Sequence, residues 1–135
     1  MYRRKISGGV TGAVEAGGVY DAMLPRNPEE SEHHILTGDR PVLVLQNKKD
    51  MRGELKVVVA KMTFNDFLLG RPYCMGIPMP TRDGRTGLSV ILLNEIVTIP
   101  KAWLTELRYV LTEEEKDRVR TILSRTLAME GDKDG

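Results

Sequence analysis

Two short apolar runs joined by a polar segment constrain the fold of this chain more than any other sequence feature. Residues 42–45 read Val-Leu-Val-Leu, and residues 55–62 are nearly continuous in apolar side chains. Such runs are typical of strands that are buried on both faces. The segment between them, residues 46–53, is polar and contains Gly53, as expected for a hairpin connection. The sequence therefore predicts a central β-hairpin.

Weaker patterns predict further strands around this hairpin, at residues 17–23, 88–93 and 107–110, with one or two more in residues 68–79. The prolines at positions 72 and 78 favour an edge position for the last segment, because proline has no N–H to donate to a ladder. For the same reason, Pro41 is expected to open the strand of residues 42–45.

Two helices are predicted in the last third of the chain. Thr98 can cap a short helix with Pro100 in its first turn, running to about residue 104. Thr112 and Glu115 have the spacing of a capping box at the start of a longer helix, which Gly131 can stop. The packing face of this helix is one apolar stripe, made of Val119, Ile122, Leu123 and Leu127.

Length and cysteine content predict one domain in a reducing compartment. The chain has 135 residues, and its single cysteine, Cys74, cannot form an internal disulfide, so the cytoplasm is the expected location. Residues 1–16 are predicted to form a flexible N-terminal arm, residues 17–131 a single domain and residues 132–135 a frayed tail. No segment approaches the roughly 18 apolar residues that a membrane span needs.

Charge is spread unevenly, although the net charge is only +1. Between residues 38 and 88 there are nine Lys and Arg against five acidic residues. This local excess fits either a surface that follows a phosphate backbone or the solvated face of a sheet.

Polar side chains at strand ends are the candidate functional groups. Arg40 precedes one core strand and Thr63 closes its partner, while Asn47, Asn94 and Glu95 close strands as well. Arg40 either pairs with a nearby carboxylate such as Asp39 or presents a fixed guanidinium fork to a phosphate. The other residues serve either local turns or a ligand.

Known catalytic frameworks are missing from the sequence. It contains no paired cysteines, no H-E-x-x-H, no P-loop motif and no G-x-S-x-G. His33 and His34 are adjacent in a predicted loop, where neighbouring side chains point apart, so no metal site is expected from them.

Four segments in order resemble the MazF/PemK (CcdB/PemK-like) family of toxin endoribonucleases. These are Gly-Val-Tyr at residues 18–20, Arg-Pro-Val-Leu-Val-Leu-Gln-Asn at residues 40–47, an apolar strand ending in Met-Thr at residues 57–63, and Ser-Val-Ile-Leu-Leu-Asn-Glu-Ile-Val-Thr-Ile at residues 89–99. The resemblance runs from about residue 17 to residue 129. It implies an α+β, mostly β fold: a small SH3-like antiparallel barrel with short helices and a C-terminal helix.

The resemblance also implies a site. The catalytic pair would be Arg40, which stabilises a phosphorane-like transition state and helps to protonate the leaving 5′ oxygen, and Thr63, which hydrogen-bonds the scissile phosphate. The RNA's own 2′-hydroxyl would attack and leave a 2′,3′-cyclic phosphate, so neither a metal nor a cofactor is expected. The remaining RNA-binding residues would be Glu32, His33, Asn47, Lys48, Lys49, Asn94 and Glu95.

The partners implied by the resemblance are single-stranded RNA (mRNA), a small acidic antitoxin protein and a second copy of the chain in a homodimer. Operator DNA, bound together with the antitoxin, is a further implied partner. The implied function is that of a type II toxin that cleaves RNA at selected sequences.

Four departures from the family pattern bear on this function. The loop between Glu32 and Arg40 is about three residues longer than usual, Phe64 stands where a small residue is common, Asn94-Glu95 replaces an acid-Gln pair, and Val97 replaces an arginine. These changes predict altered sequence preference or weakened catalysis. The alternative function is a non-catalytic binding module of the same fold, either a gyrase inhibitor or a binder of antitoxin or nucleic acid; the lack of an aromatic residue in the tail disfavours the gyrase version. A third alternative is a structural protein whose polar strand ends serve only turns.

Overall fold

Six antiparallel strands form one sheet in the computed structural model, which describes residues 13–24, 38–79 and 87–128. The strands are β1 (Gly18–Leu24), β2 (Gly38–Val44), β3 (Lys56–Thr63), β4 (Cys74–Ile77), β5 (Ser89–Pro100) and β6 (Leu104–Val110). The helices are α1 (Lys48–Met51), α2 (Glu113–Thr126) and two 3₁₀ segments, Asp66–Gly70 and Lys101–Trp103. The predicted α+β, mostly β class is confirmed.

The order of strands across the sheet is β4-β5-β3-β2-β1-β6. Among the described residues the sheet is open, with β4 and β6 at its edges, and the hydrogen-bonded ladder does not close into a full barrel. The edge position predicted for residues 68–79 is confirmed by β4.

The central hairpin is formed by β2 and β3, with Val42 opposite Lys61 and Val44 opposite Val59. β2 begins at Gly38, so Pro41 lies inside the strand and not at its start, where it was expected. The register with β3 begins only at Val42, directly after the proline, which has no N–H to donate. On its other side, β2 pairs with β1 along its length, and this pairing carries the strand past Pro41.

β5 is twice as long as predicted, and the prediction of a helix that starts after Thr98 is wrong. The strand continues to Pro100, with Thr98 opposite Val58 and Pro100 opposite Lys56. Pairing with β3 therefore outweighs the local capping signal, and only the short 3₁₀ segment Lys101–Trp103 follows.

The two faces of the sheet carry separate apolar clusters. The first face holds Tyr20, Ala22, Val42, Val44, Val57, Val59 and Leu104, among others. The second face holds Val19, Leu43, Ala60, Met62, Ile91 and Leu93, and α2 packs against it through Val119, Ile122 and Leu123. Leu127, the last member of the predicted stripe, is 58% exposed because α2 has ended by then.

The predicted capping box of α2 is confirmed. Thr112 Oγ1 accepts a hydrogen bond from the Glu115 N–H at 3.1 Å, and Glu115 Oε1 accepts one from the Thr112 N–H at 2.9 Å. The Tyr109 hydroxyl donates to the same carboxylate at 2.9 Å and ties β6 to the helix. Burial, with help from the Glu115 carboxylate, raises the pKa of Tyr109. The helix ends at Thr126, and the predicted stop at Gly131 lies outside the described residues.

The folded unit begins before residue 17, which is the predicted domain boundary. Val14 is buried in the cluster of the first face, and the Glu15 N–H donates to the Tyr20 hydroxyl at 2.9 Å. Residues 13–16 are therefore part of the folded unit. Residues 1–12 of the predicted arm and the predicted tail, residues 132–135, lie outside the described residues.

Candidate functional site

Arg40 and Thr63 lie on neighbouring strands and on the same face of the sheet. Val42 is opposite Lys61, and continuing this antiparallel register by two residues places Arg40 opposite Thr63. Residues that oppose each other in this way have Cβ atoms roughly 4.5–5.5 Å apart. The register therefore brings together two residues that are 23 positions apart in the sequence.

Thr63 presents a hydroxyl that can donate a hydrogen bond. The residue is 7% exposed, and its Oγ1 accepts a hydrogen bond from the Asn65 N–H at 3.2 Å. A hydroxyl has one hydrogen to donate in addition to its acceptor positions. The Thr63 hydroxyl can therefore accept from Asn65 and still donate its hydrogen to an anionic oxygen beside Arg40.

Lys61 is a third polar residue of this face, and it is not among the site residues predicted from the sequence. It precedes Thr63 by two residues, so the alternation of β3 puts both side chains on one face, and it is half-buried. Two cations and one hydroxyl thus lie on adjacent strands. The period of two within residues 56–63 is the signal that identifies Lys61.

Apolar walls flank these polar groups on the same face. Val90 lies opposite Thr63 and Leu92 opposite Lys61, and both belong to a small buried cluster with Cys74. On the other side, Val42 and Ala22 belong to the large cluster of the first face. Charges held between apolar walls interact more strongly than charges in open water.

A β-bulge places Asn94 and Glu95 beside Lys61. Ala60 is opposite Ile96, but the next residue, Lys61, is opposite Leu92, so residues 93–95 form extra chain in β5. Asn94 is exposed and Glu95 is half-buried. Bulges of this kind redirect side chains and are frequent next to active sites. The structure therefore brings these two predicted residues to the strand that carries Thr63.

Cys74 lies in the apolar wall of the site. Burial raises the pKa of its thiol; the Arg71 guanidinium opposes this shift and the Glu95 carboxylate adds to it.

We predict that Cys74 reacts slowly with thiol reagents in the folded protein. The thiolate is the reactive form, and a raised pKa together with burial lowers its accessible fraction. At about pH 8, labelling with Ellman's reagent should be at least about tenfold slower in buffer than in denaturant. Equal rates in the two conditions would contradict the burial of this side chain.

Asn47, Lys48 and Lys49 lie at the opposite end of β2 from Arg40. Asn47 follows Arg40 by seven residues, roughly 23 Å along an extended chain. Its Oδ1 accepts from the Asp50 N–H at 2.8 Å and caps α1, and the two lysines are exposed. Asn47 also lines a cleft of about 200 Å³ between β2 and α2. The structure does not bring these three residues together with Arg40, and their RNA-binding role stays a prediction.

Glu32 and His33 lie outside the described residues, so their predicted place near Arg40 stays a prediction as well. In the part of the chain that the structure describes, no group of three His, Cys, Asp or Glu side chains is arranged to hold a metal ion. Within the same ranges, none of the helices has the length and apolar character that crossing a membrane requires.

Comparison with solved structures shows the same fold in several toxins. An endoribonuclease in complex with its cognate antitoxin from a mycobacterial species is 23% identical, with a TM-score of 0.62 over 87% of this chain and 97% of that chain. MazF from Deinococcus radiodurans is 21% identical, with a TM-score of 0.62 over 87% and 99% of the two chains. The Mycobacterium tuberculosis toxin MazF-mt6 is 17% identical, with a TM-score of 0.61 over 80% and 93%.

Sequence comparison gives the family. No curated protein sequence matches the chain. A family model described as PemK-like, MazF-like toxin of type II toxin-antitoxin system matches residues 15–127, which include all six strands and α2. This chain therefore belongs to the PemK-like, MazF-like toxins of type II toxin-antitoxin systems.

Proposed function

We propose that this chain is a metal-independent endoribonuclease that cleaves single-stranded RNA at selected sequences and acts as the toxin of its module. The observation that carries the proposal is the register of β2 with β3, in which Val42 is opposite Lys61; continued by two residues, it brings Arg40 beside Thr63 on one face of the central hairpin. Family membership and the endoribonucleases that share the fold support the same activity.

The proposed reaction uses the RNA as its own nucleophile. The 2′-hydroxyl loses its proton to water as its oxygen forms a bond to the adjacent phosphorus. The bond from phosphorus to the 5′ oxygen breaks, and that oxygen takes up a proton from water. The products are a 2′,3′-cyclic phosphate and a 5′-hydroxyl. The protein supplies positioning and hydrogen-bond donors at the oxygens where negative charge develops.

Arg40 and Thr63 have different roles in the proposed reaction. The guanidinium of Arg40 is a planar cationic fork, so it stabilises the phosphorane-like charge and the departing 5′ oxygen through donated hydrogen bonds. The Thr63 hydroxyl, whose oxygen already accepts from Asn65, donates its hydrogen to a non-bridging phosphate oxygen. The backbones of both residues are held in paired strands, which limits the rearrangement needed during the reaction.

We predict that Lys61 contributes one phosphate contact. Lys61→Ala should weaken binding of a single-stranded 2′-O-methylated oligonucleotide and reduce the slope of log affinity against log salt by about 0.7. Fluorescence anisotropy over a salt series measures this slope. Lys56→Ala is the matched control, because Lys56 is exposed at the other end of β3. Equal slopes for the two variants would contradict the placement of Lys61 in the site.

The proposed partners follow from the family. The mycobacterial and Deinococcus structures that share the fold include complexes with an antitoxin. We propose a small acidic antitoxin as the protein partner of this chain, a homodimer as its functional form, operator DNA as a partner of the toxin–antitoxin complex, and the cytoplasm as its location.

The second candidate function is that of a weakened nuclease or a non-catalytic binding module. It is supported by two positions at which this chain lacks a charged residue of the family pattern. Val97, which stands where the family has an arginine, packs against the apolar cluster of the first face and offers no charge to RNA. Asn94 removes an acidic group from the bulge.

Expression in a bacterial host separates these functions. The endoribonuclease arrests growth and total RNA shows discrete cleavage. A gyrase inhibitor arrests growth with intact RNA and altered DNA supercoiling, and a structural protein does neither. Intact RNA in arrested cells would contradict the proposed function.

A further inference from the structure

Phe67 is an exposed aromatic side chain next to the proposed cleavage site. Its side chain is 87% exposed, although it is one of only two phenylalanines in the chain. The 3₁₀ segment Asp66–Gly70 that carries it packs through Leu68 and Leu69 against the small cluster around Cys74. The segment is therefore anchored by its neighbours, while the ring of Phe67 faces solvent.

Two hydrogen bonds hold the backbone of Phe67 to Thr63. Thr63 Oγ1 accepts from the Asn65 N–H at 3.2 Å, and Asn65 Oδ1 accepts from the Phe67 N–H at 3.1 Å. Four residues of chain span at most about 14 Å, so Phe67 lies close to Thr63. The position of the backbone that carries the ring is thus linked to the hydroxyl proposed to contact the scissile phosphate.

The cations nearby outnumber the Glu95 carboxylate of the β5 bulge, and this excess favours a polyanion. Arg71 is exposed and caps the same 3₁₀ segment, and Lys61 and Arg40 lie on the adjoining strands. An exposed ring among cations matches the arrangement that binds single-stranded nucleic acid, in which bases stack on aromatic side chains and cations follow the phosphates.

We propose that Phe67 is a stacking platform for one unpaired base of the RNA, close to the scissile phosphate. The inference rests on the proposed function, because the occupant is taken to be the RNA that is cleaved beside Thr63. Stacking on a ring tolerates any base, so Phe67 would supply affinity and position the strand, while other contacts select the sequence.

The test measures binding of a short single-stranded oligonucleotide of mixed sequence that carries 2′-O-methyl groups and cannot be cleaved. Phe67→Ala and Phe67→Leu should each lower its affinity about tenfold, whereas Phe67→Trp should retain it. Leucine keeps an apolar side chain but has no ring, so it separates stacking from simple apolar contact. Leu55→Ala is the matched control: Leu55 is 85% exposed, but it precedes β3 at the end far from Thr63, and its variant should bind like the wild type.

A second arm replaces one nucleotide of the oligonucleotide at a time by an abasic residue. An abasic residue at one position should lower the affinity of the wild-type protein as much as Phe67→Ala lowers the affinity for the intact oligonucleotide. Phe67→Ala should bind that abasic oligonucleotide no more weakly than the wild type does. Additive losses at every position would overturn the proposal, and so would wild-type affinity in Phe67→Leu. A change from dimer to monomer in Phe67→Ala, measured by light scattering, would assign the ring to a protein interface and also overturn it.

These outcomes are distinct from those of the proposed function. If wild-type protein binds the oligonucleotide through Phe67 but leaves unmodified RNA intact, the nuclease fails and the platform stands. If wild type cleaves RNA and Phe67→Ala cleaves it with the same KM, the platform fails and the nuclease stands.

Discussion

Arg40→Ala should reduce RNA cleavage by at least about a thousandfold, the effect expected when an arginine that stabilises phosphoryl transfer is lost. The guanidinium offers several hydrogen-bond donors on the face that holds Thr63, and alanine leaves no donor in its place. Single-turnover cleavage of a labelled single-stranded RNA measures the loss. Thermal melting should show a folded variant, because Arg40 is only half-buried.

Two further variants show whether the loss of cleavage comes from the placed guanidinium or from the change in net charge. Arg40→Lys keeps the charge but not the planar fork, so it should recover only a small part of the rate. Arg52→Ala removes an exposed arginine just after α1, at the other end of the hairpin, and should cleave like the wild type. Comparable losses in Arg40→Ala and Arg52→Ala would indicate that net charge, and not a placed guanidinium, governs the rate.

Thr63→Val should reduce cleavage about a hundredfold, as expected for the loss of one donor to a developing negative charge. Valine keeps the branched shape that fits the end of β3 and removes only the hydroxyl. The effect should fall on kcat more than on KM, because the hydrogen bond strengthens as charge develops on the phosphate.

Thr98→Val is the control for this substitution, since Thr98 is exposed on β5 of the same sheet and pairs with Val58 far from Thr63. It should retain wild-type kcat. The Asn65 N–H loses its acceptor in Thr63→Val, so melting temperatures must accompany the rates. A rate loss that merely follows loss of folded protein would contradict a role for the hydroxyl in the reaction.

Much of the fold was predictable because local pattern and tertiary pairing agree. The two apolar runs became β2 and β3, and the Thr112–Glu115 box starts α2. Prediction failed where pairing overrode a local signal: Thr98 and Pro100 resemble the start of a helix, but their partners on β3 keep them extended. Pro41 lies inside β2 and not at its start, because the strand continues through the proline by pairing with its second neighbour, β1.

The site, like the fold, was only partly predictable from the sequence. Arg40 and Thr63 were identified by resemblance, but that they face each other depends on the register of β2 and β3, which sequence alone does not give. The bulge that brings Asn94 and Glu95 to this strand is likewise a property of the pairing. Asn47 looked equivalent to Arg40 as a polar strand end, yet it lies at the other end of the same strand, where it caps α1.

The most direct test of the account is cleavage of single-stranded RNA by the purified protein in EDTA, with the termini identified by mass spectrometry. We expect cleavage at a defined set of sequences, fragments that end in a 2′,3′-cyclic phosphate and a 5′-hydroxyl, and no such fragments from Arg40→Ala purified in parallel. RNA of every tested sequence left intact by the wild-type protein, or fragments that appear equally with Arg40→Ala, would contradict it.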